Sequence, residues 1–301
     1  MMVSSTMTRR GLLAAGALGA AAVMGTQLTG CASSSNRPVE NAPVQTLRYG
    51  QDRSQFAELT LPNSAGGPVP VAVVIHGGFW RSAYALDLGA PLAATLPGRG
   101  WAALNIEYRR VGNGGGYPTT LTDVGAAIDL LADAGQAAAR EQNLELDLGR
   151  VVTVGHSAGG QLAAWAATRS GQGAGSPGAA PAVEISAVVA QAGVLDLLAC
   201  AREGLGAGAA QAFLGGEPEQ VPERYDMASP AEHLPFGVPI LCVHATGDGN
   251  VPIAQSQDFV AAARAAGDDA ELAAVEGDHF VVIDPDDPAW MLVLDWLDRF
   301  S

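Results

Sequence analysis

Gly155-His156-Ser157-Ala158-Gly159-Gly160 follows the apolar run Val151-Val152-Thr153-Val154 and opens an Ala-rich stretch with helix-forming composition. A G-x-S-x-G sequence lets a chain turn sharply from strand to helix, because glycine on both flanks removes the Cβ atoms that would clash. Such a turn thrusts the serine upward with its Oγ exposed. The helix that begins there aims free N–H groups and a positive dipole end at the same point, which favours a developing anion. Ser157 is therefore the candidate nucleophile for acyl transfer.

A second motif, His76-Gly77-Gly78-Phe79-Trp80, directly follows the apolar run Val71–Ile75. Acyl transfer passes through a tetrahedral oxyanion, which preorganised N–H donors stabilise. Ala158, just after the serine, supplies one N–H. The glycine loop supplies others, since glycine lets the backbone approach closely. Gly78 and Phe79 are the nominated donors, and His76 is expected to brace the loop by hydrogen bonding rather than to act as a base.

A serine nucleophile also needs a base and an acid that orients the base. With a G-x-S-x-G turn the partners follow in the order Ser, Asp, His, each beyond the C-terminal end of a strand. Asp248 fits the acid: His244-Ala245-Thr246-Gly247-Asp248-Gly249-Asn250-Val251-Pro252 leaves the apolar run Ile240–His244 and leads into a helical pattern. Asp196, just beyond the preceding apolar run, is the second candidate. His279, in Gly277-Asp278-His279-Phe280, is the one histidine after the last run and is the expected base. His156, His233 and His244 are read as structural.

The elements that must position these residues alternate along the chain. Short apolar runs suited to buried strands occupy Thr46–Tyr49, Phe56–Leu61, Val69–Ile75, Ala102–Glu107, Val151–Gly155, Ile185–Gln191, Ile240–His244 and Ala270–Val275. Helical patterns lie near Tyr84–Leu96, Leu121–Glu141, Ser157–Arg169, Ile253–Ala266 and Pro288–Phe300. Alternation of this kind implies a mostly parallel sheet covered on both faces. The rhythm breaks between Gln191 and Pro239, where a small cap (192–238) is expected, with short helices around Leu195–Cys200 and Ala209–Leu214. Gly171–Gly178 reads as a surface loop.

Together, HGGFW, the segment from Glu107-Tyr108-Arg109-Arg110 through Tyr117-Pro118 to Asp123, the GHSAGG turn, DGNVP and DHFVVID stand in an order that resembles the α/β-hydrolases. The similarity is to their esterase/lipase and kynurenine-formamidase-like branch, from about Arg48 to Phe300. It implies an α/β-hydrolase fold: an eight-stranded, mostly parallel sheet with helices on both faces and a small cap between strands six and seven. It also implies a Ser157–Asp248–His279 triad, an oxyanion hole of Gly78, Phe79 and Ala158, and chemistry without metal or organic cofactor. One departure stands out. Members resembling hormone-sensitive lipase carry a third glycine where this chain has Phe79. HGG-aromatic-Trp is closer to formamidases and to bacterial acetylxylan or feruloyl esterase-like enzymes.

Composition bounds the partners. The chain has 301 residues, 48% hydrophobic and 16% charged, a globular balance. Its cations are 16 arginines with no lysine, against 31 Asp plus Glu, for a net charge of −15. Nucleic acid and anionic lipid surfaces are thereby disfavoured as partners.

The first thirty residues read as an export signal, with Arg9-Arg10 ahead of the uncharged run Gly11–Gly25. Thr8-Arg9-Arg10-Gly11-Leu12-Leu13 resembles a twin-arginine signal, and Leu28-Thr29-Gly30-Cys31 resembles a lipoprotein cleavage site. By that resemblance the expectations are a signal over 1–30, a lipid on Cys31, a tether over 31–44 and a hydrolase domain over 45–301. The protein would then sit on the extracytoplasmic side of a bacterial membrane. Cys242 lies within an apolar run and is expected to be a buried, inert thiol. An exported enzyme meets small or glycan-linked carboxylic esters more readily than formylkynurenine, a product of intracellular metabolism. A formamidase-type amidase and a non-catalytic binding lipoprotein are the alternatives, and the oligomeric state is left open.

Overall fold

The computed structural model describes residues 43–300, which belong to one compact unit, Asn41–Ser301. The signal segment, Cys31 and all but the last two residues of the tether therefore lie outside the described residues.

Eight strands form one sheet: β1 (Val44–Arg48), β2 (Phe56–Thr60), β3 (Val69–Ile75), β4 (Ala102–Ile106), β5 (Leu146–His156), β6 (Ala187–Gln191), β7 (Ile240–Ala245) and β8 (Ala270–Val275). Their spatial order is β1-β2-β4-β3-β5-β6-β7-β8. β2 pairs antiparallel with both β1 and β4, and every pairing from β4 onward is parallel. Only β2 thus runs against the rest, as a mostly parallel sheet requires. Val44 pairs with Thr60 and Thr60 with Ala103, so the chain enters the sheet at the end where the parallel strands begin.

The strands are apolar on both faces because both are covered. Val71, Val73 and Ile75 point into a core shared with Leu121, Trp165 and Phe213, while Ala72 and Val74 point into a second core with Leu92, Trp101 and Trp290. α1 (Ala90–Thr95) and α9 (Pro288–Leu297) cover the second face. α2 (Thr119–Asp129), α3 (Ala134–Glu141), α4 (Ala158–Ala167) and α8 (Ala254–Ala266) cover the first.

Three details differ from the sequence-based expectation. β5 begins at Leu146 rather than Val151, because Val69 pairs with Leu146 and Val71 with Val151 across a register shift. The charged Asp147 and Arg150, with Gly149 between them, interrupt the apolar run there and hide its start. The single helix expected over Leu121–Glu141 is two. Asp129 closes α2 by accepting from Arg169 Nη2 (2.6 Å) and Val183 N, whereas Gln136 in α3 bonds both N and O of Leu146. The two halves are tied to different neighbours, so their axis breaks. Finally, the segment between β6 and β7 holds three helices, not two: α5 (Leu197–Arg202), α6 (Ala209–Leu214) and α7 (Pro222–Ala228). Pro222 at the first helical position of α7 was the available signal.

Cys200 and Cys242 are both free and buried, and burial pushes each thiol up to about 12.

Candidate active site

The strand order reverses between β3 and β5, and their C-terminal ends open a crevice where ligands bind in sheets of this type. The two glycine motifs leave those two strands. Ser157 takes φ 56° and ψ −120°, outside the ordinary regions for an L-residue. It is held there from several sides. Its N–H donates to Gln191 O (2.8 Å), and its carbonyl accepts from Gly160 and Gln161 in α4 and from Val194. A Cβ on Gly155 would lie 2.0 Å from Gly159 O, and one on Gly159 would lie 2.1 Å from Ile75 O. The flanking glycines are therefore steric necessities.

The loop after β3 reaches the serine directly. A Cβ on Gly77 would stand 2.7 Å from His156 O and 3.0 Å from Ser157 Cβ. His76 Nδ1 lies 2.8 Å from Gly77 O, an acceptor, so Nδ1 carries the proton and Nε2 accepts from Arg110 Nη1 (3.1 Å). The ring also stacks on Tyr108 (4.4 Å), whose hydroxyl donates to His76 O (2.6 Å). His76 therefore braces the loop, as its sequence position suggested. Because the Gly77 carbonyl and the Gly78 N–H point to opposite sides of one planar peptide, fixing the first fixes the second. Among the described residues, no acceptor takes the N–H of Gly78, Phe79 or Ala158. Beyond Gly78 (φ 109°), Phe79 (50°) and Trp80 (54°) are also left-handed, which costs an L-residue about 1–2 kcal/mol apiece.

On the other side, His279 Nδ1 lies 2.6 Å from Asp248 Oδ2. The loops that carry them are tied together, Gly247 N–H donating to Gly277 O (3.0 Å). Asp248 Oδ1 accepts from the backbone of Asn250 and Val251. Burial alone would push its carboxyl up. The hydrogen bonds from His244 and His279 outweigh burial and hold it well below the usual carboxylate range. Asp196, by contrast, caps α5 by accepting from Ala199 N (2.9 Å), and no contact joins it to His279 among the described residues.

Two histidines read as structural turn out to touch this pair. His244 is fully buried, its Nε2 3.2 Å from Asp248 Oδ2 and 2.9 Å from Val251 O, with Nδ1 2.7 Å from Ser256 Oγ. Nε2 faces two acceptors and so carries the proton, leaving Nδ1 to accept from the Ser256 hydroxyl. His156 donates from Nε2 to His279 O (3.0 Å), and its ring lies 4.5 Å from the His279 ring. Burial, and then the neighbouring His279, push the His156 imidazole down to about 3, so it stays neutral. His233 lies away from the site, against Met227 O.

The insert between β6 and β7 also reaches the site. The Phe79 ring packs so closely on Gly206 that a Cβ there would fall 2.6 Å from it, and Arg81 Nη2 donates to Gly206 O. Trp80 is fully buried, stacked on Phe213 of α6 (4.7 Å, 8° between planes). Its Nε1 donates to Gln161 Oε1 (2.9 Å), one helical turn beyond Ser157. Trp80 stood in the motif, but nothing local in the sequence pointed to Gln161, Gly206 or Phe213.

The arrangement pairs a strained serine beside three free N–H groups with a buried carboxylate–imidazole pair. A family model described as BD-FAE matches residues 57–262 of the chain. No curated protein matches it. Among solved structures, a truncated form of a carbohydrate esterase from gut microbiota superposes with a TM-score of 0.72 at 21% identity, covering 87% of this chain and 98% of the other. An acetyl ester-xyloside bifunctional hydrolase from Caldicellulosiruptor lactoaceticus gives 0.67 at 20% identity, over 87% and 98%. The propionate-bound esterase Est2 from the planctomycete Thermogutta terrifontis gives 0.65 at 26% identity, over 88% and 94%.

Proposed function

Since the chain belongs to the BD-FAE family and has the α/β-hydrolase fold of the esterases it resembles, we propose that it hydrolyses carboxylic esters through an acyl-enzyme on Ser157. The observation that carries the reading is the 2.6 Å Asp248–His279 contact, together with the strained Ser157 and the three unclaimed N–H groups of Gly78, Phe79 and Ala158.

Neutral His279 takes the Ser157 hydroxyl proton at Nε2 as Oγ attacks the ester carbonyl. Asp248 holds Nδ1–H, fixes the ring orientation and balances the imidazolium charge. The carbonyl oxygen becomes an oxyanion that Gly78, Phe79 and Ala158 N–H groups receive. His279 then returns the proton to the departing alkoxide, the alcohol leaves, and the acyl group remains on Oγ. Water enters, His279 removes its proton, and the same sequence releases the acid and restores the serine.

The substrate class proposed is small or glycan-linked esters. The similar structures include a carbohydrate esterase and an acetyl ester-xyloside hydrolase, which supports it. The proposed place of action is outside a bacterial inner membrane, held by lipid at Cys31, on the strength of the sequence motifs alone. Purified wild type and Ser157→Ala should be assayed in parallel on p-nitrophenyl acetate, acetylated xylan, methyl ferulate and N-formylkynurenine. Turnover of the esters above that of the formamide is expected. Ser157→Ala should lower kcat by about 10⁵-fold or more and abolish fluorophosphonate labelling. Formamide turnover exceeding all three esters would overturn the substrate class, and undiminished labelling in the variant would overturn the nucleophile. Cys31→Ser should move the full chain from the membrane fraction to the soluble one. Unchanged partition after a salt wash would remove the anchor.

A further inference from the structure

The turn Gly78–Arg81 closes with a hydrogen bond from Arg81 N–H to Gly78 O (3.0 Å), and both its central residues, Phe79 and Trp80, have positive φ. Turns with positive φ at both central positions are ordinarily built from Asn, Asp or Gly, because larger L side chains crowd the backbone there. Two adjacent aromatics persist in such a turn only if contacts outside it over-determine them.

Those contacts come largely from the insert between β6 and β7. Phe213 of α6 stacks flat on Trp80, Gly206 seats the Phe79 ring, and the Gly206 carbonyl accepts from Arg81. Ala228, at the end of α7, accepts from Gln161 Nε2 (2.8 Å), and Gln161 Oε1 in turn accepts from Trp80. The segment that touches Phe79 is itself shaped to do so: Gly204, Gly206, Ala207 and Gly208 all have positive φ. On the strand side, Val111 N–H donates to Trp80 O (2.8 Å) and Ser82 N–H to Val111 O (2.9 Å), which fixes where the turn ends but not its handedness.

We propose that this insert is a clamp on the oxyanion loop: it holds the Phe79–Trp80 turn left-handed and so aims the Gly78 and Phe79 N–H groups beside Ser157. Trp80 and Phe213 are the positioning residues. A glycine at 79 would take the same φ without help; Phe79 takes it because the insert requires it. Rotating the turn to negative φ would swing the Phe79 peptide and leave the oxyanion short of a donor. The catalytic half of this inference rests on the ester-hydrolase reading, whereas the conformational half does not.

The test uses the full chain with Phe213→Leu, Phe213→Ala, and each combined with Phe79→Gly. Leucine keeps most of the buried volume but not the stacked ring, so it guards against a variant that simply fails to fold. The readouts are kcat and KM on p-nitrophenyl acetate, melting temperature, and hydrogen exchange of the segment 76–82 by mass spectrometry. Phe213→Leu should lower kcat by about tenfold with KM within about threefold, and should speed exchange in that segment. Adding Phe79→Gly, which keeps the N–H of residue 79, should recover part of the kcat lost in the single variant, because glycine relieves one of the two strained positions of the turn. A merely structural Phe213 predicts the opposite, since Phe79→Gly removes a second packed ring and would deepen the loss. A folded Phe213→Leu variant with wild-type kcat and wild-type exchange overturns the proposal, and so does a double variant worse than the single. If the wild type turns over no ester, the ester reading fails on its own, while faster exchange in Phe213→Leu still supports the clamp.

Discussion

On the side of the site that carries Asp248 and His279, proposed for acid–base work, the left-handed backbone falls on a glycine, Gly277 at φ 123°, whereas on the side proposed to hold the oxyanion it falls on Phe79 and Trp80 as well as Gly78. The first side is organised by hydrogen bonds. Asp248 collects donors from His244, His279, Asn250 and Val251, and the two loops are joined through Gly247 and Gly277. The second is organised by packing: Trp80 on Phe213, Phe79 on Gly206, His76 on Tyr108. A hydrogen-bonded site can be assembled from a few residues in two loops and stands at relaxed backbone angles. A packed one can hold strained angles, but only with help from distant parts of the chain.

The largest effect that separates the two sides comes from the carboxylates. Asp248→Asn should lower kcat by about 10⁴-fold, because the amide cannot hold His279 with its proton on Nδ1. Asp196→Asn should stay within about twofold of wild type, since asparagine caps a helix as well as aspartate does. Steady-state kinetics on both purified variants checks this, and the reverse ranking would move the acid to the end of β6.

Removing one donor from the hydrogen-bonded side should cost less. His244→Phe leaves Asp248 Oδ2 with a single donor and strands the Ser256 hydroxyl and Val251 carbonyl. We expect kcat to fall by about tenfold and stability by about 1–3 kcal/mol, measured by urea unfolding. Wild-type values for both would mean that His244 is a bystander. Gly277→Ala sharpens the contrast from the backbone side. Its Cβ would lie 2.6 Å from Val281 Cγ1 at a φ that L-residues avoid, so a loss of about 2 kcal/mol or more is expected in the same assay.

The smallest effect is a slope. The unfolded chain protonates His156 below about 6.5, whereas the folded chain holds that pKa at about 3. Unfolding therefore takes up a proton between those values, and stability falls as pH drops through that window. The depressed Asp248 carboxyl has the same sign but acts lower, from about pH 4 downward, where the unfolded carboxyl protonates and the folded one does not. His156→Gln should flatten the urea midpoint between about pH 6.5 and 4.5, where His156 contributes up to about 1.4 kcal/mol per pH unit, and should lessen without abolishing the fall at lower pH, where Asp248 also acts. An unchanged curve would show that His156 is not the group taking up the proton.

The same contrast explains what could be read from the sequence. Ser157, Asp248 and His279 announce themselves because each sits in a short loop after an apolar run, and the loop's own residues fix its chemistry. The sheet was legible for a similar reason, as both-face burial leaves continuous apolar runs. β5 lost its first residues because Asp147, Gly149 and Arg150 break that run. Phe213 and Gly206 were illegible in principle: their relation to Phe79 and Trp80 spans more than a hundred residues and depends on how an irregular insert folds back. His244 was read as structural, and its burial is apparent in the run Ile240–His244, while the direction of its ring toward Asp248 is not.

The place where the chain enters the sheet has a consequence for orientation. Val44 lies level with Ala103, whereas the loops that carry the site leave the opposite end, after Ile75, His156, Ala245 and Val275. Three strand residues, about 10 Å, separate Ala103 from Ile106 at the end nearest the crevice. A load attached upstream of Val44 therefore pulls on the base of the sheet and leaves the mouth pointing outward. With lipid at Cys31, the twelve intervening residues 32–43 can extend at most about 40 Å. The same geometry recommends this end for attachment to a bead or a fused module, since neither would stand between Ser157 and a bulky substrate.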